Sequence, residues 1–262
     1  MPVPAMADTT LVITAFRRPG YLRATLESWA AVPRVKDLRR IILALAPSPA
    51  EKQMRRIADQ AAIAMGRGIE IRPDSGACAA VPGEHRALGE AISAAFADEG
   101  CEFVIASSED VVVSEDVLRY FAWARGLTNE HDDLLLINAH SEIGQGWHQP
   151  AADADAAQDE ASLRPAFNPW CWGTWRDRWE ADIEPRWDWD CNTGSNANDN
   201  GWDWQVWRIV NEGWHAVTPA ASRARNIGQH GGTYAHPGLF GKTQPQAFRE
   251  HRGDVAYRLV TA

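Results

Sequence analysis

A hydrophobic run at 101–107 (CEFVIAS) ends directly in Ser108, Glu109 and Asp110. Adjacent carboxylates at the end of a buried strand offer hard oxygen ligands to a divalent cation. A cation held there can bridge a diphosphate and neutralise a leaving group. A second apolar run at 10–16 (TLVITAF) ends in Arg17, Arg18, Pro19 and Gly20. Guanidinium forks match phosphate oxygens, so Arg17 and Arg18 are candidate diphosphate contacts. A solvated turn is the plainer account of either cluster taken alone.

Two further groups of residues could do chemistry. Residues 180–190 (EADIEPRWDWD) and 201–204 (GWDW) set carboxylates among indoles. Indole faces make platforms for sugars, and a partly dry carboxylate suits a general base. The competing account is a core filled by Trp with a rim solvated by Asp. Residues 226–236 (NIGQHGGTYAH) combine glycines with His230 and His236. Glycine lets the backbone approach a ligand closely, and either histidine could touch a metal or a diphosphate. The stretch 196–201 (NANDNG) imitates the opening of a calcium loop, but its twelfth position is Trp207 where a bidentate Glu is needed. Cys78, Cys101, Cys171 and Cys191 have no metal-ligand spacing and read as reduced, mostly buried thiols. No GxGxxG, Walker A or GxSxG motif occurs, which lowers dehydrogenase, P-loop NTPase and α/β-hydrolase readings.

The elements that must position these residues alternate. Strands are predicted at 10–16, 39–46, 69–72, 101–107 and 134–138, and helices at 20–31, 50–65, 84–98 and 114–127, the last with Ser114 as N-cap. Strand–helix alternation at this spacing predicts an α/β fold with a mainly parallel sheet. Ligands of such sheets bind beyond the carboxyl ends of the strands. Both the Arg17–Arg18 pair and the Ser108–Asp110 cluster fall at such ends. Beyond residue 147 the composition changes: of 13 tryptophans, 11 lie between Trp147 and Trp214. Residues 150–163 read as a loop.

The chain has 262 residues, 45% of them hydrophobic and 23% charged, which are ordinary globular values. That length supports one large domain or two small ones with a shared core. The net charge of −9 makes a polyanionic partner a poor default. No apolar run reaches the roughly 18 residues of a membrane helix. The N-terminal sequence lacks a basic signal-peptide start. A cytoplasmic location with no membrane partner is the expectation.

With these motifs in order, the sequence resembles GT-A fold glycosyltransferases and, more narrowly, the N-acetylglucosaminyltransferase I family. Four pieces carry the resemblance: 11–29 (LVITAFRRPGYLRATLESW), 108–121 (SEDVVVSEDVLRYF), 182–187 (DIEPRW) and 202–204 (WDW). They are collinear over roughly residues 10–240. The resemblance implies a Rossmann-like GT-A sheet flanked by helices, with a Trp-rich acceptor side. Residues 1–140 would be the nucleotide-sugar half, 141–240 the acceptor and catalytic half, and 241–262 a C-terminal tail of one continuous domain. Asp110 resembles the acid that binds Mn²⁺ (or Mg²⁺), and Glu109 the acid near the ribose. Ser108 stands where the family has a carboxylate. Arg18 resembles the Arg of the first turn. Asp203 resembles the catalytic base, with Asp188, Asp190 and Asp199 as the next candidates. The implied donor is a UDP-sugar, with UDP-GlcNAc suggested by resemblance alone. The segment LAPS at 45–48 replaces the family's uracil-reading Asp. The implied reaction is inverting transfer to an acceptor hydroxyl of a glycan, a protein or a modified nucleobase. A DNA-base or virion-protein acceptor, a non-catalytic carbohydrate-binding protein and a nucleotidyltransferase remain open at this point.

Overall fold

The computed structural model describes residues 6–73, 84–141, 158–187, 189, 202–230 and 255–260. In chain order the elements are β1 (Thr9–Ala15), α1 (Pro19–Ala30), β2 (Arg40–Leu45), α2 (Glu51–Met65), β3 (Glu70–Pro73), α3 (Glu84–Phe96), β4 (Phe103–Ser108), β5 (Val111–Val113), α4 (Val117–Arg125) and β6 (Leu134–Asn138). There follow β7 (Glu160–Arg164), β8 (Trp172–Trp175), α5 (Arg176–Arg178), α6 (Trp202–Val210), β9 (His215–Pro219), β10 (Ala224–Asn226) and β11 (Arg258–Leu259).

Nine strands form one sheet in the order β11-β7-β9-β6-β8-β4-β1-β2-β3. Strands β3, β2, β1 and β4 run parallel to one another. Strand β8 is inserted antiparallel between β4 and β6, and β6 resumes the direction of β4 and is parallel to β9. The result is a mostly parallel mixed sheet.

The period of two along each strand splits the core into two layers. From β1, Leu11 and Ile13 join Leu22, Leu26 and Trp29 of α1 and Met54 and Ile57 of α2 on one face. Val12 joins Leu88, Ala91 and Ile92 of α3 and Val206 and Ile209 of α6 on the other. All seven residues of β1 are buried, which is why the strand reads as a continuous apolar run. Helix α1 starts with Pro19 in its first turn, where a missing N–H costs nothing. Helix α2 ends on Gly66 in the left-handed region, φ 62°.

Four tryptophans belong to the second layer. Trp172, Trp179, Trp187 and Trp202 are buried. Trp202 stacks on Trp172 at 6.0 Å and on Trp187 at 5.6 Å between ring centroids. Trp187 packs so tightly on α3 that a Cβ at Gly89 would meet its Nε1 at 2.5 Å. These four rings are therefore core, which removes them from the sugar-platform reading of the whole cluster.

Three other expectations shift. Strand β7 begins at Glu160, inside the stretch read as loop, because Ala161 and Leu163 find partners on β9. Helix α4 begins at Val117, and Ser114 is not its N-cap. The Ser114 hydroxyl donates to Asp116 Oδ1 at 2.6 Å instead. Residues 255–260, within the tail, add edge strand β11 parallel to β7. Among the described residues no helix is long and apolar enough to cross a membrane.

Candidate functional site

The sheet order reverses between β1 and β4: the chain steps from β1 outward through β2 and β3, then returns to place β4 on the other side of β1. Such a switch point opens a crevice at the carboxyl ends of the two strands. Thr14 pairs with Ser108, so β1 and β4 end level with each other. The residues after them, 16–18 and 109–110, must meet.

They meet through Arg18. Its Nε donates to Glu109 Oε1 at 2.6 Å, and its Nη1 lies 2.8 Å from Asp110 Oδ2. The second oxygen of Glu109, Oε2, accepts the backbone N–H of Phe16 at 2.8 Å. Its carbonyl accepts the Thr25 hydroxyl at 2.8 Å. Both carboxylates are buried, Glu109 3% and Asp110 6% exposed. Burial alone would lower the pKa of Arg18. The charges of Asp110 and Glu109 outweigh that and hold it above its ordinary value.

A second wall comes from the C-terminal half. Strand β10 pairs antiparallel with β5, which follows Asp110 directly. The pairing continues past Asn226, where the Ile227 N–H donates to the Asp110 carbonyl at 2.7 Å. Gly228 then passes over the carboxylate. A Cβ there would be well inside van der Waals contact of Asp110 Oδ2, 2.9 Å from its Cγ and 3.1 Å from Arg18 Nη1. The His230 N–H donates to the Tyr21 hydroxyl at 3.1 Å, and the Tyr21 ring lies 5.3 Å from the Arg18 guanidinium carbon.

The structure therefore brings together Arg18, Glu109 and Asp110, with Ser108 half-buried beside them and the His230 backbone at the rim. Arg17 is exposed, its guanidinium 5.2 Å from the Phe16 ring centroid. Asp203 is exposed in the first turn of α6, beside the buried Trp202. His236, Asp188, Asp190, Asp199, Cys78 and Cys191 lie outside the described residues. Cys101 and Cys171 are free and buried, and burial pushes both thiols up.

No three His, Cys, Asp or Glu side chains converge among the described residues. Both oxygens of Glu109 are engaged, so Asp110 is the carboxylate left to face a cation. One carboxylate is compatible with Mg²⁺-like binding, in which substrate phosphates and waters complete the shell. Asp110 fits such an ion on those terms.

Sequence reasoning missed Tyr21, Thr25 and a second buried cluster. Arg223 and Asp116, each 2% exposed, pair through Nε and Oδ2 at 3.0 Å. The Tyr257 hydroxyl donates to the same Oδ2 at 2.6 Å. The Arg223 guanidinium also donates to the carbonyls of Ala221 and Gln158. This knot fastens residues 255–260 to the base of α4.

No protein-family model matches the sequence, and no curated protein matches it significantly. Solved structures do match. S. aureus TarS residues 1–349 superposes on 85% of this chain with a TM-score of 0.52 at 12% identity, and 61% of that chain is covered. The mannosyltransferase PcManGT from Pyrobaculum calidifontis, in complex with GDP-Man and Mn²⁺, superposes on 81% of this chain with a TM-score of 0.50 at 13% identity, and 54% of that chain is covered. The chain thus spans less than two thirds of either structure. The narrower likeness to N-acetylglucosaminyltransferase I rests on sequence motifs alone. At these identities the likeness is one of architecture: the chain shares the mostly parallel α/β fold of these two structures.

Proposed function

We propose that the chain is a nucleotide-sugar-dependent glycosyltransferase. The observation that carries this is the joining of Arg18 to Glu109 and Asp110 at the β1/β4 switch point. In this reading residues 1–140 bind the donor, 141–240 supply the acceptor and catalytic side, and 241–262 form the tail of one continuous domain. Arg17 and Arg18 take the donor diphosphate, Glu109 stands near the ribose, and Ser108 and His230 border the site. Asp110, with His236, holds Mn²⁺ or Mg²⁺; such an ion supplies positive charge beside the leaving diphosphate.

Asp203 is the general base of this reading. It takes the proton of the acceptor hydroxyl as that oxygen attacks the anomeric carbon. Attack opposite the departing diphosphate inverts the anomeric configuration, through an oxocarbenium-like transition state. Next to Asp203, Trp204 stacks on Trp207 at 4.5 Å between ring centroids, and Trp207 is 37% exposed. An exposed indole face beside the base is a stacking platform that suits a carbohydrate acceptor and a modified nucleobase alike. The motif likeness favours a UDP-sugar, with GlcNAc as the sugar. The GDP-Man and Mn²⁺ of the mannosyltransferase make GDP the alternative to test.

The test is calorimetric titration of UDP and of GDP, with and without Mn²⁺, on the wild type and Asp110→Asn. Mn²⁺-dependent binding of one nucleotide, lost in Asp110→Asn, is the expected result. Absence of binding by both nucleotides under every condition would overturn the reading. Release of pyrophosphate during turnover, rather than a nucleoside diphosphate, would reassign the protein to nucleotidyl transfer.

A further inference from the structure

The two contacts of Arg18 are unequal. Nε donates a directed hydrogen bond to Glu109 at 2.6 Å. Nη1 lies 2.8 Å from Asp110 Oδ2, a close ion pair with poorer angular alignment. Glu109 is held by charge and a well-aligned hydrogen bond, whereas Asp110 is held mainly by charge. Glu109 is further fixed by the Phe16 N–H and by the Thr25 hydroxyl on its carbonyl. The Asp110 side chain has the guanidinium on one side and the Gly228 backbone against it on another. Without a ligand, the positive end of Arg18 thus lies against the carboxylate that a divalent ion would need.

We infer that Arg18 is an exchangeable internal cation, which guards Asp110 in the donor-free protein and releases it to a divalent ion only when a diphosphate arrives. This rests on the glycosyltransferase reading of the site. The physical argument is charge balance. Glu109 and Asp110 carry two negative charges and Arg18 one positive. A divalent ion added alone would sit within a few ångströms of a guanidinium in a poorly solvated crevice, where like charges repel strongly. A nucleoside diphosphate adds about three negative charges and offers Arg18 oxygens better suited to its fork than one edge of Asp110. Arg18 can then turn Nη1 to the diphosphate while Nε stays on Glu109, leaving Asp110 free. Ion and nucleotide uptake are coupled, and by linkage each tightens the other by the same factor.

The measurement is Mn²⁺ binding to the full chain, followed by loss of the free-ion electron paramagnetic resonance signal, with no nucleotide present. Wild type should bind Mn²⁺ weakly. Arg18→Gln should bind it about tenfold or more tightly, the order expected for removing one nearby like charge. Adding Asp110→Asn to Arg18→Gln should abolish the gain. Added nucleotide should tighten Mn²⁺ binding far more in wild type than in Arg18→Gln. If Arg18→Gln does not fold, Arg18→Met serves, because it also removes the charge while keeping an unbranched stem. Its nucleotide-free Mn²⁺ affinity should still exceed that of wild type. Equal nucleotide-free affinities in wild type and a folded Arg18 variant would overturn the proposal. So would a gain that survives Asp110→Asn. Failure of the glycosyltransferase reading shows separately, as absence of UDP and GDP binding at saturating Mn²⁺, while the nucleotide-free comparison still decides the role of Arg18.

Discussion

Replacing Gly228 by alanine tests the site through a single methyl group. The new Cβ would overlap Asp110 Oδ2 and come within 2.9 Å of Cγ and 3.1 Å of Arg18 Nη1. Ordinary carbon contacts lie near 3.5–4.0 Å, so the carboxylate and the backbone must part by about 1 Å. Neither yields freely. The Ile227 N–H holds the Asp110 carbonyl at 2.7 Å, and the Gly228 N–H donates to Asn226 Oδ1 at 2.7 Å. Forced overpacking of this kind costs about 1–3 kcal/mol. For a chain of this size each kcal/mol moves Tm by about 2–4 °C. Gly228→Ala should therefore lower Tm by about 2–12 °C. It should also displace Asp110 and weaken Mn²⁺-dependent nucleotide binding about tenfold or more, which is about 1.4 kcal/mol.

Gly20→Ala is the matched control. It lies in the first turn of α1, near the same site, and no atom lies within 4 Å of the Cβ it would gain. Helical alanine in place of glycine is neutral or stabilising by about 0.5–1 kcal/mol. The assays are calorimetric Tm and nucleotide titration on both variants. Gly228→Ala behaving like Gly20→Ala in both would refute the packing argument. A lowered Tm with wild-type nucleotide affinity would keep the packing and remove Asp110 from the binding site.

Asp203→Ala should lower the transfer kcat about 10²–10⁴-fold and leave nucleotide affinity intact; wild-type turnover would move the base elsewhere. Asp116→Asn should destabilise the fold by about 3–5 kcal/mol in urea titration, because it leaves the buried Arg223 without its counter-charge. Tyr257→Phe should cost about 1.5–3 kcal/mol by removing the 2.6 Å hydrogen bond to Asp116, and no change would mean that the hydroxyl contributes nothing to stability. Asp98 accepts two bonds from Arg39 at 2.7 and 2.6 Å, and this pairing draws its pKa down to about 2. Because the folded value lies below the unfolded one, its contribution is complete above about pH 4 and is lost as pH falls towards 2. Asp98→Asn should flatten that part of the stability profile.

The N-terminal half of the fold was legible because its signals are local. Strands β1, β2, β4 and β6 are apolar runs bounded by turns, and helices α1, α2 and α3 carry their own periodicity. Each predicted element lies within about three residues of the observed one. The later strands were not legible for the opposite reason. Strand β8 is WGTW, which has no alternation to read. It is a strand because β4 and β6 offer edges on both sides and because Gly173 admits the Phe103 ring. Strand β11 is two residues long and owes its place to β7 and to the Asp116–Arg223–Tyr257 knot, whose members are scattered from 116 to 257 in sequence.

The site divides along the same line. Alternation of elements puts Arg18, Glu109 and Asp110 at strand ends; their convergence comes from the sheet order, which sets β1 beside β4 with level ends at a switch point. What no sequence pattern carries is which oxygen each nitrogen takes. Nε on Glu109 with Nη1 merely near Asp110, rather than one fork on one carboxylate, is set by the Phe16 N–H and the Thr25 hydroxyl fixing Glu109 first. Gly228 was visible only as one glycine in a glycine-rich stretch. Its reason is the Asp110 carboxylate beneath it, 118 positions earlier in the chain, brought there by the pairing of β10 with β5. A substitution that loosened that small ribbon, far from any ligand, should therefore loosen Asp110 as well. Asn226→Ala, which removes the Oδ1 acceptor of the Gly228 N–H, is the mildest way to see whether the ribbon or the carboxylates themselves set nucleotide affinity.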